Sequence, residues 1–194
     1  MLSQDIGGAV AVLGPLGGFK SNRAAIFDLD GVIFDSSERF RKALEEASVS
    51  EEEFRSDYKK RARVWEVFLS GKYIELDRVN PEVFGYILKA KMTGLDIVLL
   101  TGRPAKMLEK TVEMLRKNNI EYNILIMRAN NDRSKDHEFK ARVIKKLAEA
   151  GIEVYEIHDD SEDVIKAVLR VVPGVRAVRW VPSGEKPYPR PVFS

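Results

Sequence analysis

The 194-residue chain contains no cysteine. That excludes disulfides, thiolate zinc sites, iron–sulfur clusters and cysteine nucleophiles together. Histidine is nearly as scarce. His137 and His158 are the only two, so an imidazole metal cage or a serine–histidine pair would have to draw on them. No run approaches the ~20 apolar residues of a membrane span. The segment from Met1 to Lys20 is rich in Gly and Ala and lacks the basic start and apolar centre of a secretory signal. A soluble, cytoplasmic protein is the expectation, and the missing cysteines agree with a reducing compartment. Charge of one sign is also missing. The 32 Lys+Arg and 30 Asp+Glu leave a net charge of +2, a mixed surface without the strong positive excess of a nucleic-acid binder.

What is present is enough for a core: 44% of the residues are hydrophobic, so folding needs no staple. Short apolar runs at Arg23–Asp28, Asp96–Leu100, Ile124–Met127 and Ile152–Ile157 each end in polar or charged residues. Val175–Val181 gives a fifth. Continuous rather than alternating hydrophobicity predicts strands covered on both faces. Helical patterns separate them: from Asn80-Pro81 to Gly94, from Pro104 to Asn118-Asn119, from Phe139 to Ala150, and from Ser161 to Leu169. Strand alternating with helix predicts an α/β fold with a doubly wound, mainly parallel sheet. In such sheets ligands sit beyond the strand C-termini, where this chain concentrates its polar residues.

One segment breaks the alternation. Ser37 to Ala47 has helical spacing, and Ser50 with Glu53 forms a capping box ahead of a longer helix carrying Phe54, Tyr58, Trp65, Phe68 and Leu69. Residues 36–76 are therefore expected to form a small helical cap over a core made of residues 1–35 and 77–194. Lys59-Lys60-Arg61 with Arg63 reads as a solvated helix face balanced by Glu51, Glu52 and Glu53, in preference to a phosphate-backbone contact. Pro182 to Ser194 holds four of the eight prolines and is expected to be extended or loosely packed.

Four groups of residues carry chemistry. Asp28 and Asp30 alternate on an extended chain, so both carboxylates can face one pocket, and Gly31 lets the chain turn away. Thr101-Gly102-Arg103-Pro104 joins a strand to a predicted helix, a hydroxyl beside free amides that suits a phosphate. Lys140 opens the third helix. His158-Asp159-Asp160-Ser161-Glu162-Asp163 crowds four acids into six residues, a carboxylate set that suits Mg²⁺.

In order, Asp28-Leu29-Asp30-Gly31-Val32, Thr101-Gly102-Arg103, Lys140, and Asp159-Asp160 with Asp163 resemble the four motifs of the haloacid dehalogenase (HAD) superfamily. The resemblance covers roughly residues 23 to 180. It implies a HAD-like core and a Mg²⁺-dependent phosphomonoester hydrolase. Asp28 would be the nucleophile that forms an aspartyl-phosphate, and Asp30 the general acid and then the base. Asp28, the backbone carbonyl of Asp30, and Asp159 would hold the metal. Thr101, Gly102, Arg103 and Lys140 would bind the phosphoryl group. Asp160 and Asp163 would orient waters or Lys140. His158 departs from the Gly or Asn common at its position, and is expected to shape the pocket or fill the strand end. Lys135 is the alternative to Lys140.

A narrower stretch, Met127-Arg128, Asp132-Arg133-Ser134-Lys135-Asp136 and Lys140, is similar to the surroundings of the catalytic lysine in the phosphatase domain of polynucleotide kinase/phosphatases. A small phosphorylated substrate is the leading expectation, with nucleic-acid 3′ ends second. A phosphomutase, or a catalytically silent HAD-like binding protein, would be the other outcomes. The presence of both Asp28 and Asp30 argues against silence.

Overall fold

The computed structural model describes residues 6–182 and 189–193. The five apolar runs become β2 (Arg23–Phe27), β5 (Asp96–Pro104), β6 (Ile124–Arg128), β7 (Glu153–Asp159) and β8 (Arg176–Val181), and two strands not read from the sequence, β1 (Val10–Leu13) and β9 (Arg190–Phe193), complete one seven-stranded sheet. Their order is β1-β6-β5-β2-β7-β8-β9. The five inner strands run parallel, while β1 and β9 pair antiparallel at the edges. The alternation seen in the sequence therefore gives the expected doubly wound sheet, here with two antiparallel edges.

The chain leaves central β2 toward β5 and β6, then returns to β7 and β8 on its other side. Helices α4 (Val83–Met92) and α5 (Leu108–Lys117) cover one face. Val83, Ile87, Met114 and Leu115 pack there with Phe27, Leu99 and Trp180. Helices α6 (Asp136–Glu149) and α7 (Glu162–Val171) cover the other, where Phe139, Val143, Ile144, Val164 and Val168 pack on Ile26 and Val98. Two buried faces explain the unbroken apolar runs. The C-terminal end of β2 is the switch point at which such sheets open a crevice.

The inserted segment is bracketed by a two-stranded ribbon, β3 (Phe34–Asp35) with β4 (Arg78–Val79). Between them lie α1 (Ser37–Ala47), α2 (Glu51–Ser56) and α3 (Tyr58–Phe68). The capping box forms as read, with the Ser50 hydroxyl accepting from the Glu53 amide. The single long helix expected after it is two, because Asp57 adopts an extended backbone and its carboxylate accepts the amides of Lys59 and Lys60. An N-cap inside the segment restarts the helix. Ala43, Leu44, Ala47, Val49, Val64 and Phe68 form a small core of its own. Three of the four residues of the basic run are engaged locally. Lys60 pairs with Glu53, Arg61 donates to the Phe54 and Arg55 carbonyls, and Arg63 donates to the Ala47 carbonyl.

Other differences are local. β5 continues through Thr101-Gly102-Arg103 to Pro104 and enters a 3₁₀ turn (Ala105–Met107) before α5 starts. Thr101 is thus not a helix N-cap. Its hydroxyl accepts the Arg103 amide instead. Of the two forms expected for the tail, extended or loosely packed, Arg190–Phe193 takes the extended one and adds a strand beside β8, and Asn80 Nδ2 donates to the Pro189 carbonyl. Positions 183–188 and 194 of that tail, and positions 1–5 at the start, lie outside the described residues. Among the described residues no helix is long and apolar enough to cross a membrane.

Candidate active site

The ends of β2, β5 and β7 and the first turns of α6 converge on one cleft of about 1580 Å³. At its base Asp28 stands just past β2, its backbone N–H donating to the His158 carbonyl at 2.9 Å and one carboxylate oxygen accepting from the Leu29 amide at 2.7 Å. Lys140 is buried one turn into α6. Its Nζ lies 2.8 Å from Asp28 Oδ2, 2.8 Å from Asp159 Oδ2 and 3.1 Å from Asp136 Oδ2. One ammonium thus meets three carboxylates. Burial alone would drive the lysine to give up its proton, but Asp136, Asp159 and Asp28 outweigh it and hold its pKa well above the usual value. Burial pushes Asp28 well up, against the pull of Lys140 and with added repulsion from Asp159. Asp159 is raised to about 6 for the same first reason. The helix expected to open near Lys140 starts four residues earlier, at Asp136, and Lys135 precedes it as an exposed residue.

Asp30 faces a different neighbourhood. Arg103 donates to it through Nε at 3.0 Å and Nη2 at 2.6 Å, and Arg39 of α1 pairs with the same carboxylate. Both guanidiniums are fully buried and both also reach Asp77, whose side chain is buried between them. Arg39 Nε is 3.0 Å from Asp77 Oδ1, within ion-pair range but off the angle of a hydrogen bond. Burial would raise the Asp30 pKa; Arg103 and then Arg39 override it and bring it to about 2. Asp77 is pushed up to about 7, burial prevailing over Arg39 and Asp30 adding repulsion. The expected phosphate-binding Arg103 is therefore committed to two acids in this arrangement.

Close backbone approach explains two glycines. A Cβ on Gly102 would stand 2.3 Å from Asp136 Oδ1, and one on Gly31, at φ +79°, 2.5 Å from Asp160 Oδ2. Asp28, Asp159 and Asp160 bring carboxylate oxygens within 4.8 Å of one another. Asp160 thus joins Asp28 and Asp159; the contribution expected of Asp30 is its backbone carbonyl, and its carboxylate is engaged by Arg103 and Arg39. Three hard oxygen donors of this kind fit Mg²⁺. Asp163 is exposed in the first turn of α7 and does not line the cleft. His158 fills the strand end. It is buried, stacked on Phe27 at 4.2 Å, and its Nδ1 accepts the Trp180 indole N–H at 3.2 Å. Burial keeps its pKa below the ordinary histidine value.

Sequence reasoning missed Arg39, Asp77 and Asp136. Asp136 precedes Lys140 by four residues, so the two share a helix face, and that spacing was legible. Arg39 and Asp77 lie 38 positions apart and offered no local signal.

With this geometry established, a family model for the phosphatase domain of polynucleotide kinase PNKP matches residues 68–178, more than half of the chain. The chain belongs to this family. Membership makes it a phosphatase domain of HAD type, a phosphoric monoester hydrolase. Solved structures agree on the fold. One from the Pnkp1/Rnl/Hen1 complex superposes with a TM-score of 0.61 at 23% identity, over 82% of this chain and 46% of that one. A HAD-superfamily hydrolase, subfamily IA, from Geobacter sulfurreducens gives 0.53 at 19% identity, over 81% and 88%. CbbY from Rhodobacter sphaeroides in complex with phosphate gives 0.53 at 17%, over 79% and 84%. The phosphatase domain spans under half the length of the repair-complex chain it matches. No curated protein sequence matches it.

Proposed function

We propose that this phosphatase domain removes the 3′-phosphate from a nucleic-acid end, using Asp28 as nucleophile and Mg²⁺ as cofactor. The observation that carries the reading is the Lys140 ammonium, 2.8 Å from both Asp28 and Asp159 at the base of a cleft. Family membership moves the preference from a generic phosphorylated small molecule to a polynucleotide end. The loop from Ala129 to Ser134, which precedes Lys140, lines the same cleft. In this reading residues 36–76 are a cap and the remainder is the core.

Asp28, Asp159 and Asp160 would hold the cation. Bound there, it would offset the negative charge that otherwise keeps carboxylate and phosphate apart. An Asp28 oxygen attacks phosphorus as the bond to the ribose O3′ breaks, giving an aspartyl-phosphate. Lys140, kept protonated by its three acids, offsets charge on the nucleophile and the phosphoryl oxygens. Thr101 Oγ1, at the end of β5 and lining the cleft, binds the transferred group with the Gly102 backbone. Asp30 delivers a proton to O3′ and then takes one from the water that releases phosphate from Asp28. Held by Arg103 and Arg39, Asp30 is ionised, the state suited to the second half. The first half requires its carboxyl to gain a proton. Withdrawal of Arg39 with the cap would let its pKa rise. Arg103 thereby acts on the proton carrier rather than on phosphate.

The test is phosphate release from p-nitrophenyl phosphate and from a 3′-phosphorylated oligonucleotide, each with Mg²⁺ and with excess chelator. Turnover of both that stops on chelation, with acid-stable label on Asp28 in single-turnover quenches, is the expected result. Undiminished turnover in chelator would remove the metal from the reading. Hydrolysis of the aryl ester alone would remove the nucleic-acid substrate.

A further inference from the structure

The cap places aromatic rings where a core would not. Phe68 is buried, but Trp65 is 40% exposed and Tyr58 79% exposed, and both line the cleft with Phe40 and Phe54. Trp65 sits edge-on to Phe54 at 5.7 Å and to Phe68 at 5.2 Å, so its ring is fixed by neighbours while it remains open to the cleft. Phe40 meets Phe54 at 5.0 Å. The segment's own packing does not need Trp65, because Ala43, Leu44, Ala47, Val49, Val64 and Phe68 already close its interior. The cleft itself, at about 1580 Å³, exceeds the ~300–1,000 Å³ typical of small-molecule pockets. Its lining also includes the exposed Lys106 and Arg133, which form no ion pair among the described residues. An aromatic wall and exposed cations combine here as they do in proteins that hold single strands by stacking and charge.

We infer that Trp65, supported by Phe54 and Phe40, stacks the base of the 3′-terminal nucleotide of a single strand, and that Lys106 and Arg133 meet its phosphodiester backbone. This rests on the 3′-phosphatase reading above. It makes Trp65 a specificity-determining residue: the cap recognises a flat base attached to the phosphate, without regard to which base it is. A single strand is the committed occupant because its terminal base is unpaired and free to turn away from its neighbour onto the ring.

The experiment measures kcat and KM for the wild type, Trp65→Ala and Trp65→Phe on three substrates: a 3′-phosphorylated hexathymidylate, the same strand with an abasic 3′-terminal residue, and p-nitrophenyl phosphate. Trp65→Ala is expected to lose about tenfold or more in kcat/KM on the hexathymidylate beyond its loss on the aryl ester, mostly in KM. Trp65→Phe is expected to recover most of it. The abasic end should cost the wild type a similar factor and leave Trp65→Ala little more to lose. Equal losses on all substrates, or an abasic end handled as well as a normal one, would overturn the inference while leaving the 3′-phosphatase reading intact. A wild type that hydrolyses the aryl ester but neither oligonucleotide would overturn both.

Discussion

Asp28 and Asp30 stand two residues apart on the same strand end, yet their surroundings pull them in opposite directions. Asp28 shares one ammonium with Asp159 and Asp136, and burial raises its pKa well above the ordinary range. Asp30 shares two guanidiniums with Asp77 and falls to about 2. One cluster is anion-rich, three carboxylates around a single Lys140. The other balances two cations against two acids. Pairs of carboxyls driven apart in this way mark a division of labour. The anion-rich side has an excess of carboxylates that suits a divalent cation, whereas the other side pairs each acid with two guanidiniums and ties the inserted segment to the sheet through Arg39.

The largest expected effect separates the two acids directly. Asp28→Asn should lower kcat by about 10⁴-fold or more, since an amide oxygen is a poor nucleophile. Asp30→Asn should cost about 10²- to 10⁴-fold, with a larger loss on an alkyl than on an aryl phosphate. Single-turnover rates on both esters check this, and equal losses on the two would reduce Asp30 to a structural partner of the arginines.

Lys140→Ala should leave the buried Asp28 and Asp159, with the half-buried Asp136, without their cation. A fall of about 3–5 kcal/mol is expected from breaking a buried pair, read by urea unfolding, and part of it should return on adding Mg²⁺. No loss of stability would mean that the three acids share protons instead.

In the balanced cluster, Asp77→Asn should cost about 1–3 kcal/mol, because Arg39 and Arg103 then have only Asp30 to share. The same variant should shift the pH profile of kcat if Asp77 helps hold the guanidiniums on Asp30. A profile that does not move would confine Asp77 to folding.

The smallest effect is a pH effect. Asp30 has a folded pKa of about 2, below its ordinary 3.8, so its contribution is fully present above pH ~4 and is lost as pH falls toward 2. That contribution is about 2 kcal/mol. Asp30→Asn should lack this part of the slope between pH 4 and 2, and unfolding curves for the two proteins across that window would show it.

Much of the molecule was legible in the sequence because it depends on short-range pattern. The inner strands, the helices between them, the inserted helical segment and the capping box at Ser50 all follow from local hydrophobic period and cap chemistry. Asp28, Thr101, Lys140 and Asp159 were legible as strand-end or helix-start polar residues. The edge strands β1 and β9 were not. One is a four-residue run in a Gly-rich stretch, the other lies in a Pro-rich tail, and each forms only because a neighbour offers an open edge.

By itself, then, the sequence determined the order of elements, the doubly wound class and the set of acids gathered at the strand ends. Tertiary structure alone decided which acid meets which cation. Arg39 and Asp77 become partners of Asp30 and Arg103 through contacts spanning 9 to 73 positions in the chain, and no helix or strand spacing encodes such a meeting. A carboxylate's pKa is set by whatever charge and burial the fold brings within a few ångströms. Two aspartates with nearly the same sequence context can therefore end with opposite tendencies, and only the folded chain assigns them.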